Sequence, residues 1–492
     1  MQNAMRTGAS AARRSQAVYS TFRDPAGTLV RRPTEVLRIV SAAGLLQLKP
    51  FLVSQTYRSL IAERSLIDCS ILSDPEAGDL LRDPELASLY SAWAGQAILH
   101  HPKIWFPSFP YEWPPEMLYE AAVLTLRIAK RSLEEGFGLK DATPFNILFD
   151  GGRPLFVDLL SFERRDPLDP TWLAYAQFVR TCLLPLAMHK HRLPWTTRQL
   201  LSQPEGPEVE EVYASLSFRQ RLSKDFLTSS TIPALLTRNK RSAPSIYQKR
   251  TARSSDQAQY ILRCLLSRLD RALVRVRPNS DRPSRWSNYA LTGSYTAKQL
   301  AAKRSFVEQA LRETAPRRVL DVGCNDGQFS FLAATGGSSV VAIDSDATVV
   351  GRLWNRVQQQ KVDVLPLVVD VARPTPAAGW NNQEYSSFVE RARSNFDAVL
   401  MLAVLHHLLV TERIPLGKIV ELAAQLTRDA LIIEWVDFED PLFRSLVRGR
   451  DQYYPMLRPA DFEQACQAHF HTVGTQRLEG SHRTLYLLRK RS

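Results

Sequence analysis

Two glycines four residues apart, Gly323 and Gly327, stand directly after the apolar run Val319-Leu320-Asp321-Val322 and directly before a helical pattern. Glycine lets a backbone approach a ligand closely, and a helix N-terminus offers free N–H groups and the positive end of a dipole. A carboxylate at the strand tip, Asp321, suits a ligand carrying an ammonium group better than one carrying a pyrophosphate. The dinucleotide spacing G-x-G-x-x-G is absent. Two further apolar runs also end in acids. Asp344 closes Val340-Val341-Ala342-Ile343 and is placed to accept hydrogen bonds from both hydroxyls of a ribose. Asp370 closes Val368-Val369 and suits the exocyclic amine of an adenine. One strand-end Asp is more often a helix cap or loop anchor; three of them with the glycine turn point to a cationic amino-acid nucleoside. Asn325 in the turn, Val371 after the third acid and Met401 near the end of the next apolar run complete the expected cofactor contacts.

A second group of residues has the types needed to move a proton. His406 and His407 follow the run Phe396–Leu402, and an imidazole takes a proton near neutral pH. Glu434, at the tip of the run 430–435, is a third candidate, with Asp437 just beyond it. Such a base helps only when the acceptor must lose a proton. Trp380, Asn381 and Asn382 lie in an insertion between the third and fourth runs, placed to roof the bound ligand.

These residues need strand ends to bring them together, and the pattern supplies them. Apolar runs at 318–322, 339–343, 362–369, 396–402 and 430–435 alternate with helical periodicity at 297–312 and 415–426. That alternation predicts a parallel sheet covered on both faces, where ligands bind beyond the carboxyl ends of the strands. A helix near 458–468 and two β-like runs, 472–476 and 484–488, follow the fifth strand. The layout is that of a seven-stranded, doubly wound, Rossmann-like α/β sheet.

Residues 296–488 resemble class I S-adenosylmethionine-dependent methyltransferases in the glycine turn, in Asp344 and Asp370, and in the run from Phe396 to His407. The resemblance implies S-adenosyl-L-methionine as cofactor and methyl transfer as the activity. It extends to a bacterial group of two-part proteins that includes rhizobial nodulation-associated methyltransferase-like proteins. Phe109-Pro110-Tyr111-Glu112-Trp113, Leu139-Lys140-Asp141-Ala142 with Asn146, residues 374–380 and residues 431–436 carry that wider likeness. The acceptor does not follow from it. No Asn-Pro-Pro-Tyr or Asp-Pro-Pro-Tyr follows the fourth strand, and no cysteine, which disfavours adenine, glutamine and cytosine-C5 methylation. A small molecule, glycan or lipid is the favoured acceptor.

The first half carries a weaker constellation. Asp141 and Asn146 stand five apart, and Asp158 follows twelve later across a turn at 150–154. This resembles the catalytic loop and metal-binding segment of kinase-like phosphotransferases, in which the first Asp orients a hydroxyl and the Asn and second Asp bind magnesium. Lys140 replaces the usual Arg, Leu159 follows Asp158 in place of Phe-Gly, and no glycine-rich phosphate loop precedes them. A retained scaffold that binds acceptor or a regulatory ligand is the expectation, and phosphotransfer the alternative.

Composition sets the remaining bounds. At 492 residues, 45% hydrophobic and 23% charged, the chain holds more than one folded unit. The divisions expected are a basic tail at 1–21, an α+β and kinase-like domain at 22–218, a basic helical connector at 219–285 and the methyltransferase domain at 286–492. Of the net charge of +13, nearly all falls in the connector, which has 16 Lys and Arg against 4 Asp. A solvated or docked connector is expected, with an RNA-contacting patch as the alternative. Five dispersed cysteines with no C-x-x-C pair argue for a reducing, cytoplasmic setting and against a metal site. No apolar run is long enough to span a membrane.

Overall fold

The structure is a computed structural model that describes residues 19–32, 34–238, 251–279, 295–448 and 458–491. Its first half begins with β1 (Tyr19–Ser20), β2 (Gly27–Arg31), β3 (Val36–Ser41), β4 (Ser70–Ile71) and β5 (Gly95–His101), which form one antiparallel sheet in the order β1-β2-β3-β5-β4. Side chains alternate across a strand. On β3, Leu37 and Ile39 therefore join a small core with Val30, Leu86 and Ile98, while Val40 faces the main core and Arg38 shares its side of the strand. The helix Pro115–Glu134 follows, opened by proline at its first position, where no N–H is needed. Two hairpins follow. β6 (Phe137–Leu139) pairs with β9 (Phe162–Arg164), and β7 (Ile147–Asp150) with β8 (Arg153–Phe156), joined by the expected turn with Gly151 at φ +55. The segments flanking this inner hairpin carry Asp141, Asn146 and Asp158.

Within the basic stretch, the helix Ser255–Arg275 starts at Ser254, whose hydroxyl accepts from the Gln257 N–H. Leu262, Leu266, Leu269 and Leu273 recur at helical spacing and join the main core, docking this helix on Pro115–Glu134. Lys130 pairs with Asp270 across that contact, and Arg275 Nε lies 3.4 Å from Asp225. The basic tail to residue 18, residues 239–250 and residues 280–294 lie outside the described residues.

The second half holds β10 (Arg318–Val322), β11 (Ser339–Asp344), β12 (Val364–Val368), β13 (Phe396–Met401), β14 (Thr427–Val436), β15 (Phe470–Arg477) and β16 (Arg483–Lys490). They form a seven-stranded sheet in the order β12-β11-β10-β13-β14-β16-β15. The first five strands in sequence are parallel, and β16 enters antiparallel between β14 and β15. The chain winds outward in both directions from β10, so the crevice at its carboxyl end is the topological switch point.

Alternation along these strands divides the apolar residues between two cores. Val319, Val340, Ala342 and Leu400 pack with Val307, Leu311 and Phe331 of the helices Ala297–Thr314 and Gln328–Thr335. Leu320, Val322, Val341, Ile343 and Val399 belong to a core that continues without a break into the first half. Trp354 meets Phe149 edge-on at 5.2 Å, and Phe106 lies 5.8 Å from Phe388 and 5.6 Å from Phe396. Arg391 pairs with Glu112, both buried, and donates to the Pro107 carbonyl at 2.5 Å. One face of the seven-stranded sheet thus shares its core with the N-terminal half. Among the described residues, no helix is long and apolar enough to cross a membrane.

Candidate active site

At the switch point the carboxyl ends of β10, β11 and β13 enclose a cleft of about 270 Å³. Gly323, Asn325, Asp344, Asp370 and Val371 line it, together with His407. Gly323 sits at φ +71 with its N–H bonded to the Ile343 carbonyl at 2.8 Å. A Cβ on it would fall 2.3 Å from Val404 Cγ2, so both conformation and space demand glycine. Asn325, also left-handed at φ +47, donates its backbone N–H to Asp344 Oδ2 at 3.1 Å. The N–H of Asp346 donates to Asp344 Oδ1 at 3.0 Å, which fixes the carboxylate in the cleft wall. Burial nevertheless raises the pKa of Asp344, against the pull of these amides. Asp370 accepts from the Ala372 N–H at 2.9 Å and pairs with Arg373 at 2.7 Å, and Arg373 also holds Glu412 on the opposite wall.

The other residues expected at the cofactor lie behind this surface. Asp321 is buried beneath the turn, where Ser330 Oγ donates to it at 2.6 Å, and burial pushes its pKa from 3.8 up to about 6. Gly327, at φ +80, precedes the helix Gln328–Thr335, and a Cβ there would fall 2.3 Å from Leu353 Cδ1. Its place is the packing of turn against helix. Met401 is buried in the strand, and Leu402 and Ala403 beyond it reach the cleft instead. Ala403 adopts φ +56, an unusual backbone for a residue with a side chain and one that clusters at functional sites.

The three proton-transfer candidates part company. His407 lines the cleft at the start of a π-helical turn, His407–Thr411, which also brings Leu408, Thr411 and Glu412 to the wall. His406 points away from it: fully buried, its ring 4.2 Å from that of His407, with neither ring nitrogen bonded. Burial drives its pKa far below the usual imidazole value, so it is neutral. Glu434 accepts from Lys303 Nζ at 2.7 Å and from the Tyr295 hydroxyl at 2.6 Å, with Arg483 Nη1 at 3.7 Å. It shares the strand face of Ile432, beneath the helix Ala297–Thr314, and does not line the cleft. Asp437 likewise turns to its own loop, accepting from the Glu439 N–H at 3.3 Å.

The insertion expected to roof the cofactor goes elsewhere. Trp380 is exposed, with Asn381 and Asn382 in a left-handed turn beside it. Glu384, Tyr385 and Ser386 close a different cavity, against β2 and β3. There Arg23 pairs with Glu384 at 2.6 Å, and Arg31 donates to the Glu384 carbonyl at 3.1 Å. Apolar contacts hold this loop against the N-terminal half: Tyr385 lies 5.0 Å from the ring of Phe109 and 5.3 Å from that of Phe145.

The same cavity touches the N-terminal constellation. Asn146 Nδ2 donates to Ser161 Oγ at 3.2 Å, Ser161 donates to Asp158 Oδ2, and Arg38 Nη1 lies 3.2 Å from Asp158 Oδ1. Burial raises the pKa of Asp141, and the charge of Asp158 raises it further. The three residues are gathered, but a guanidinium holds Asp158 where the kinase-like resemblance implies magnesium. Arg38 had no signal in the sequence beyond an arginine inside an apolar strand. Among the described residues, no cluster of three or more His, Cys, Asp or Glu is placed to hold a metal.

Comparison with known proteins bears on both halves. A family model described as a methyltransferase domain matches residues 293–469. The chain is 30% identical over 486 residues to the nodulation protein NoeA of Rhizobium meliloti (strain 1021), covering 97% of each. Among solved structures, the N-methyltransferase NodS of Bradyrhizobium japonicum WM9 is 13% identical, covers 40% of this chain and 98% of its own, and gives a TM-score of 0.30. The magnesium protoporphyrin IX methyltransferase of Synechocystis PCC 6803 is 17% identical, covers 42% and 93%, and gives 0.31.

Proposed function

The chain belongs to the family of the nodulation protein NoeA and is an S-adenosylmethionine-dependent methyltransferase, and from that premise we propose how its cleft works and what it methylates. The observation that carries the reading is the meeting of Gly323, Asp344 and Asp370 in one cleft walled by carboxylates. We assign Asp344 to the ribose hydroxyls, Asp370 to the adenine amine, and the Gly323 turn with Asn325 to the amino-acid end. Asp321 acts through the turn from below, as a negative charge near the ammonium. Bound S-adenosylmethionine supplies an activated methyl group on a sulfonium, and transfer is an in-line displacement that needs alignment and exclusion of water.

His407 is the residue we assign to the acceptor side, as the histidine of the pair that lines the cleft. It accepts the acceptor's proton if a hydroxyl or ammonium is methylated, and otherwise positions the acceptor. The acceptor is a small molecule, glycan or lipid, in a cytoplasmic enzyme. Extracts fractionated into small molecules, glycolipids, RNA and protein, incubated with labelled methyl donor, test this. Label entering the first two fractions, and falling steeply with His407→Ala while S-adenosylhomocysteine still binds, is the expected result. Label confined to RNA or protein overturns the acceptor assignment.

A further inference from the structure

The second cavity, between β3, β5 and the insertion, measures about 540 Å³, within the range of ~300–1,000 Å³ common for small-molecule sites. Its walls carry Arg23, Arg31, Arg32, Arg38 and Lys103 against three acids. Two of those acids are already engaged, Glu384 by Arg23 and Asp158 by Arg38. Arg31 makes its hydrogen bond to a neutral backbone carbonyl, and burial lowers its pKa. The carboxylate whose charge acts on it, Glu384, is the one already paired with Arg23.

Two buried polar atoms on the same walls lack partners. Arg38 is 8% exposed and His101 3%, and Nε of the first and Nε2 of the second have no hydrogen bond. Buried polar groups are rarely left so. The two atoms differ in hydrogen-bonding character. His101 Nδ1 lies 3.1 Å from the Asp68 carbonyl, which can only accept, so Nδ1 carries the proton and Nε2 is an acceptor. Burial holds this imidazole neutral, with a pKa of about 4. Arg38 Nε, in contrast, is a charged donor. Three rings, Phe109, Phe145 and Tyr385, form an apolar wall beside them.

We propose that this cavity is a second ligand site, taking an organic phosphate whose anionic group meets Arg31 and Arg38, whose flat apolar body lies against Phe109, Phe145 and Tyr385, and which offers a hydrogen-bond donor to His101. A guanidinium already neutralises Asp158, so binding proceeds without a divalent cation. The site is distinct from the methyl-donor cleft. The insertion connects the two, beginning at Val371 in one and reaching Ser386 in the other.

The test is calorimetry on the full chain, saturated with S-adenosylhomocysteine so that the cleft is filled, in buffer containing EDTA. The probes are ADP, UDP, inorganic pyrophosphate and citrate. At least one nucleoside diphosphate should bind more tightly than pyrophosphate or citrate. Arg31→Gln should weaken it by roughly tenfold, the loss of one charge-assisted contact. Arg38→Lys, which keeps the pairing with Asp158 but removes Nε, should weaken it less. S-adenosylhomocysteine affinity reports folding of each variant, and if Arg31→Gln misfolds, Arg38→Lys decides. Absence of binding by both nucleotides, equal binding of citrate or pyrophosphate, or unchanged affinity in the folded variants each overturns the proposal.

Discussion

The two cavities of this chain have opposite electrostatics although they share one segment of backbone. The cleft at β10 is lined by Asp344, Asp370 and Glu412 and, among the described residues, by no Lys or Arg. The cavity under β3 is lined by five basic side chains against three acids. A sulfonium and an ammonium favour the first, and an anion favours the second. The means also differ. In the cleft, backbone amides from a glycine turn hold the carboxylate, so position is set by local chain geometry. In the cavity, side chains from distant segments hold one another, as Arg38 and Asp158 do across 120 residues. Local geometry is written in neighbouring residues; a site assembled over long range is not.

The comparison breaks most readily where the two regions are tied together. Arg391→Met leaves Glu112 buried without its cation and removes a guanidinium stacked 4.8 Å from the Phe109 ring centre. Stability should fall by ~3–5 kcal/mol, the cost of orphaning a buried charge, seen as an early shift of the denaturant midpoint. If the midpoint holds, the halves are not one packed body. Gly323→Val comes next. Strain at positive φ and the overlap with Val404 should lower S-adenosylhomocysteine affinity by on the order of 100-fold, about 3 kcal/mol, with circular dichroism unchanged. Parent-like titration would remove the turn from the site.

Smaller effects sharpen the contrast. Asp344→Ala should cost ~1–3 kcal/mol of donor affinity through lost hydrogen bonds to the ribose, and none for a phosphate in the other cavity. Equal losses in both would mean that the substitution acts through the fold. The smallest expected effect is a pH dependence. Asp321 has its pKa raised from 3.8 to about 6, so its contribution to stability is fully present below 3.8 and lost as pH rises through 6. Donor affinity should move the opposite way, strengthening by ~1 kcal/mol over the same range as the carboxylate gains the charge that faces the ammonium. Asp321→Asn should flatten that profile. A pH-independent parent would detach Asp321 from the donor.

The sheet, the glycine turn and the positions of Asp344 and Asp370 were legible because each depends on short-range pattern. Asp321, Gly327 and Met401 stand in the expected elements but behind the cleft surface. Continuous apolar runs ending in Asp344 and Asp370, and glycines spaced to start a helix, appear in the structure within a few residues of the expected bounds. A helical connector was expected at 219–285, and the helix Ser255–Arg275 lies within it. His406 and His407 are adjacent, however, and no local rule says which faces the ligand. The π-helical turn decides it, and a π-turn has no spacing signature of its own. Glu434 sits at a strand end like Asp344, yet Lys303, more than a hundred residues earlier, captures it.

By itself, then, the sequence determined the strand order's raw material, the glycine turn and the acids that suit a cationic nucleoside, since these follow from backbone conformation and alternation among neighbours. Tertiary structure alone decided which face of the sheet the N-terminal half would cover, where the insertion would go and which charges would find partners. Burial is the reason. A charge in the interior must take whatever opposite charge the fold brings near, and that choice is made by packing between segments remote in sequence. Arg38 beside Asp158, Arg391 beside Glu112 and Lys303 beside Glu434 are all choices of this kind.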